Sequence, residues 1–188
     1  MSDTRTHVMA LAALGAGLVH LAIGAGTPVV LAVAICAFGL GELAWGVVVL
    51  ARGQALIPTL MLAGSIAPVA LWGIFAAVRA SGGAGELTDV LPLGPLAAGS
   101  ILNLTVALCL AWDRRARKSG QRAEGAAPHR DRPGRYLLGM LLGAMAVAGI
   151  VTPALAATNA GTYAVPHGEH APATDQLDLP AHGSHSGH

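Results

Sequence analysis

The chain has 188 residues, of which 54% are hydrophobic and only 11% charged, and its formal net charge is +1. Soluble domains carry about 25% charged residues, so this composition excludes an ordinary water-soluble domain and indicates an integral membrane protein. The two cysteines, Cys36 and Cys109, fall inside apolar stretches and have no metal-ligand spacing. We interpret both as small buried residues.

Five apolar stretches are each long enough to cross a bilayer, because a helix of about 20 residues spans about 30 Å of hydrocarbon. They predict transmembrane helices at 8–26, 29–51, 56–78, 93–112 and 136–157. The predicted fold is therefore all-α: a five-helix transmembrane domain at 1–157, followed by a disordered tail at 158–188. The first stretch follows Arg5 and has some resemblance to a signal peptide. We interpret it as a retained helix because no small-residue cleavage site precedes the second helix.

The first connection is short and contains Gly26 and Pro28, which predicts an antiparallel hairpin of helices one and two. His20 in helix one and Glu42 in helix two are unusual intramembrane polar residues. Counted from the turn near Gly26, they lie about six and about sixteen residues away, an axial gap of about 15 Å. Direct contact between them is therefore not expected without a kink.

Glu42 follows Gly39 and Gly41, which would let another backbone come close. It is either a proton or cation site or a neutral carboxyl that hydrogen-bonds a neighbouring helix. His20 is expected to be a packed, hydrogen-bonded residue near the outer surface. Asn103, in helix four, is expected to bridge helices through hydrogen bonds.

The segment between helices four and five, 113–135, carries most of the basic residues of the chain. The positive-inside rule places this segment in the cytoplasm, and alternation of the spans then puts Arg5 and Arg52 on the same side. The predicted topology has the N-terminus inside and the C-terminal tail outside the plasma membrane of a bacterial cell. The segment has no interleaved aromatic residues, so we interpret it as a topology determinant and not as a nucleic-acid-binding site.

Helix five contains Gly139 and Gly143 in a GxxxG arrangement. This spacing permits close helix packing, either within the chain or in a homodimer. The end of the same helix also resembles a signal-peptide cleavage site, with Ala154-Leu155-Ala156, so cleavage after Ala156 is an alternative interpretation.

The tail holds five of the eight histidines in the chain. Imidazole binds copper, zinc and nickel, and the intervening glycines and serines would let a flexible segment wrap an ion. The candidate ligands for a divalent transition metal are His167, His170, His182, His185, His188 and Glu169. Drifted low-complexity sequence is the alternative interpretation of this tail.

The phrases Gly17-Leu18-Val19-His20-Leu21-Ala22 and Glu42-Leu43-Ala44-Trp45 resemble those of small, Ala/Gly-rich, multi-span membrane proteins of high-GC bacteria. This resemblance covers little of the chain and implies a helical membrane protein without implying an activity.

Three functions are compatible with these patterns, and none is enzymatic, because the sequence has no nucleophile–base set, phosphate loop or HExxH motif. The leading hypothesis is a membrane protein that captures or passes a metal ion through its outer tail, with His20 and Glu42 on an inward route. The second is a non-catalytic accessory subunit that packs against a membrane-protein partner. The third is a proton-coupled small-solute transporter that uses Glu42.

Overall fold

A computed structural model describes residues 3–82, 91–119 and 133–163. Within those ranges the chain forms five long helices, one short 3₁₀ helix and no strand. The long helices are α1 (Asp3–Gly24), α2 (Val29–Arg52), α3 (Pro58–Ala80), α4 (Leu93–Lys118) and α5 (Pro133–Ala156), and the 3₁₀ helix is Ala160–Tyr163. All five are long and apolar enough to cross a membrane, which confirms the predicted all-helical class and the number of spans.

Several helix ends differ from the predicted bounds by one to six residues, and two of these differences have clear physical reasons. Helix α3 was predicted to begin at residue 56 but begins at Pro58, because a proline is favoured at the first helical position, where its missing N–H costs nothing. Helix α4 continues past Trp112 to Lys118, and the basic residues of its last turn lie where the helix dipole favours positive charge.

Helix α1 lies at the centre of the bundle and packs against α2, α4 and α5. It supplies about half of the buried apolar core, including Met9, Val19 and Ile23. Helix α3 instead packs mainly against α4. Large apolar side chains on α3, such as Leu71 and Ile74, are mostly exposed, as expected for a surface that contacts lipid.

Close glycine contacts fix the register of the α1–α2 hairpin. A Cβ atom on Gly17 would lie 2.7 Å from the carbonyl oxygen of Gly39, and one on Gly39 would lie 2.8 Å from the carbonyl oxygen of Gly17. The two backbones therefore meet at a crossing that only glycine permits. The expected close approach at Gly39 is found, whereas Gly41 has no neighbouring atom within 4 Å of its Cβ position.

The GxxxG pair of α5 packs within the chain. Gly139 lies against Thr4 of α1, and a Cβ atom on Gly143 would lie 2.6 Å from a methyl carbon of Val8. Of the two arrangements that the motif permits, this structure uses the intramolecular one.

Candidate functional site

His20 and Glu42 form a largely buried hydrogen-bonded pair between α1 and α2. His20 Nδ1 lies 2.6 Å from Glu42 Oε2, and the two side chains are only 8% and 10% exposed. The expectation that these residues are too far apart to touch is therefore wrong.

The contact exists because the hairpin is not symmetric about Gly26. Gly24 contacts Cys36, and Gly17 contacts Leu43. In this hairpin, the residue numbers of two contacting residues therefore sum to about 60. Glu42 is thus level with residue 18, about two residues or 3 Å from His20 along the helix axis. The connection Ala25–Pro28 carries the chain onward before it reverses, and the first turns of α2 extend beyond the end of α1.

The imidazole of His20 also contacts α2 through Phe38 and α4 through Gly99. Its ring lies edge-to-face with Phe38, with centroids 5.3 Å apart and planes at 85°. Its Nε2 is next to Gly99 of α4, where a Cβ atom would be only 3.5 Å away. His20 is therefore a packed, hydrogen-bonded residue, as the sequence suggested, but its partner is Glu42.

A cavity of about 280 Å³ lies beside Glu42, between α2 and α3, and we refer to it as the Glu42 cavity. Two buried polar atoms from its lining, Glu42 Oε1 and Asn103 Nδ2, have no hydrogen-bond partner among the described residues. The hydroxyl of Ser65, also in the lining, already donates to the carbonyl of Met61 at 2.8 Å. Asn103 was expected to bridge helices through hydrogen bonds, and its Nδ2 makes no such bond among the described residues.

A second cavity, of about 480 Å³, lies beside His20 and is called here the His20 cavity. Its lining is apolar apart from His20 and Trp72, and the Trp72 Nε1 is buried without a partner among the residues described. Pro68 also lines this cavity and cannot donate to the carbonyl of Gly64, which belongs to the lining of the Glu42 cavity. Phe38 contributes to both linings and separates the two spaces.

The pair can hold a variable number of protons. A neutral imidazole beside a carboxylate carries one negative charge, and one added proton gives a neutral pair with that proton on either residue. A second proton gives an imidazolium beside a carboxylic acid. Glu42 lines one cavity and His20 lines the other, so each member of the pair borders a separate space.

The predicted metal ligands of the tail, His167, His170, His182, His185, His188 and Glu169, lie outside the described residues. Within the described part of the chain, no group of three or more His, Cys, Asp or Glu side chains could hold a metal ion. The predicted tail site therefore stays a prediction.

Comparison with protein-family models, with curated proteins and with solved structures gives no match. Fold and site together define a class: a multi-pass helical membrane protein with a buried histidine–glutamate pair between two cavities. Its function must be inferred from the chemistry of that pair.

Proposed function

We propose that the protein is a proton-coupled transporter of a small polar solute, with His20 and Glu42 as its proton-binding site. The observation that carries this proposal is the 2.6 Å pair at the boundary between two cavities, inside helices long enough to span a membrane. Ionisable groups at such depth cost about 2.5–3.5 kcal/mol each on insertion scales and commonly mark proton or substrate pathways.

A purely structural role explains the pair less well. An interhelical hydrogen bond in a membrane contributes about 0.6 kcal/mol on average, which is less than the cost of inserting the carboxyl group. The Gly17–Gly39 crossing already joins α1 and α2 through close backbone contact. A function that requires a proton acceptor accounts for the retained carboxyl and imidazole.

The arrangement of α3 supports the transport part of the proposal. This helix packs mainly against α4, and both cavities have residues of α2 and α3 in their linings. At one end the gap is closed by a hydrogen bond of 2.9 Å from Trp45 Nε1 to the carbonyl of Leu56, just before α3. A movement of α3 relative to α2 would open the Glu42 cavity without disturbing the α1–α2 hairpin.

A vesicle assay tests the proposal. Purified protein is reconstituted into vesicles that contain the pH indicator pyranine, and a potassium diffusion potential, negative inside, drives proton entry. A mixture of acetamide, urea and glycerol is supplied outside. Vesicles with the wild-type protein should acidify faster than protein-free vesicles, and Glu42→Gln should slow this acidification at least about tenfold, because an amide cannot take up the proton.

The control is Gly73→Ala on α3, whose added methyl group meets no atom within 4 Å and which lies outside both cavity linings. It should acidify at the wild-type rate. Acidification of wild-type vesicles at the protein-free rate, or an equal rate for Glu42→Gln, would contradict the proposal.

Metal capture by the tail is a separate proposal, supported by the five histidines among its residues. Metal capture and proton coupling involve different residues, so a tail truncation tests the first and Glu42→Gln tests the second. An accessory role in a larger complex is supported only by the glycine-rich packing surfaces and ranks below both.

A further inference from the structure

We infer that the Glu42 cavity binds a small uncharged solute of the carboxamide type, recognised by Glu42 and Asn103. This inference rests on the proposed transport function and adds the chemical class of the solute. It is carried by two residues that line one cavity, Glu42 and Asn103, because each has a buried polar atom, Oε1 and Nδ2, with no partner among the described residues.

The two atoms have complementary hydrogen-bonding roles. Asn103 Nδ2 is a donor, and its residue is only 2% exposed. Glu42 Oε1 is an acceptor, because Oε2 faces His20 Nδ1 and the shared proton lies between those two atoms. A carboxamide matches both: its carbonyl oxygen accepts from Asn103, and its N–H donates to Glu42.

Charge and size narrow the class further. The carboxyl group of Glu42 would disfavour an anion, and a cation offers no acceptor to the N–H of Asn103. A neutral solute with both a donor and an acceptor therefore fits both groups best. The volume of about 280 Å³ equals that of roughly nine water molecules in the liquid, so the solute has at most about nine non-hydrogen atoms. The rest of the lining, including Trp45, Met61 and Val106, is apolar and suits a short alkyl group.

The test is saturation-transfer difference NMR on the full chain in deuterated detergent, titrated separately with acetamide, acetone and acetate. Acetone has the shape and the acceptor of acetamide but lacks its donor. We expect acetamide to bind at least about tenfold more tightly than acetone, because acetone leaves Glu42 Oε1 desolvated and unpaired. Acetate should show no saturable binding.

Two variants test the assigned partner. Asn103→Leu, which replaces the amide by an apolar group of similar size, should weaken acetamide binding about tenfold and reduce the preference over acetone. Thr105→Val is the matched control, because Thr105 Oγ1 lies on the same helix, is exposed and donates to the carbonyl of Ile101. It should leave acetamide binding unchanged.

The outcomes separate this inference from the proposed function. Equal affinities for acetamide and acetone in the wild-type protein, or acetamide binding that survives Asn103→Leu, would overturn the inference whether or not the variant folds well. Selective acetamide binding without Glu42-dependent proton entry would support the site and contradict coupled transport. Proton entry without selective acetamide binding would support coupled transport and contradict the carboxamide site.

Discussion

Replacing Gly39 by alanine should weaken the α1–α2 hairpin and lengthen the His20–Glu42 contact. A Cβ atom at this position would lie 2.8 Å from the Gly17 carbonyl oxygen and 3.1 Å from His20 Cβ. Ordinary contact begins near 3.4 Å, so the backbones must separate by about 0.6 Å at the crossing. If the two side chains keep their conformations, the 2.6 Å distance between His20 Nδ1 and Glu42 Oε2 becomes about 3.2 Å, the outer limit of a good hydrogen bond.

The free energy of unfolding should fall accordingly. Overpacking of a tight contact costs about 1–3 kcal/mol. The higher helix propensity of alanine opposes this loss by up to about 1 kcal/mol. Gly41→Ala is the matched variant, since it gains the same propensity on the same helix and meets no atom within 4 Å. We therefore expect Gly39→Ala to be less stable than Gly41→Ala by about 1–3 kcal/mol.

The assay is reversible unfolding in mixed micelles of increasing dodecyl sulfate content, followed by circular dichroism. The nitrogen chemical shifts of the His20 ring, measured by NMR, report the length of its hydrogen bond independently. Equal stabilities of the two variants with unchanged His20 shifts would refute the idea that the glycine crossing sets the geometry of the pair.

Three further predictions concern other parts of the chain. Gly143→Ile should destabilise the protein by about 1–3 kcal/mol through overlap with Val8 but leave its oligomeric state unchanged in light scattering; dissociation of a dimer would instead show that this face joins two chains. Trp45→Phe removes the hydrogen bond to Leu56 and should cost about 0.5–1.5 kcal/mol in the same unfolding assay, and an unchanged midpoint would show that this bond does not hold α3. Truncation after Val165 should abolish calorimetric binding of Cu(II), Zn(II) or Ni(II), and retained binding would rule out the tail as the metal site.

The sequence by itself determined the class of protein and the number of helices. Apolar length is sufficient for this, because a single segment of about 20 apolar residues can satisfy its own backbone in lipid only as a helix. It also marked His20, Glu42 and Asn103 as unusual, because the cost of a polar group in an apolar segment does not depend on the partners of that group. Of the two glycines before Glu42, Gly39 was correctly associated with a close helix approach, whereas Gly41 was not.

Only the tertiary structure decided which of these residues meet. The register of two helices depends on the path of their connection, and four residues from Ala25 to Pro28 can extend by about 13 Å or fold back. Counting from Gly26 assumed a symmetric reversal and separated His20 from Glu42, whereas the contacts between Gly17 and Gly39 bring the two residues together. The cavities likewise follow from the packing of α3 against α4, a long-range choice that local apolar patterning does not specify.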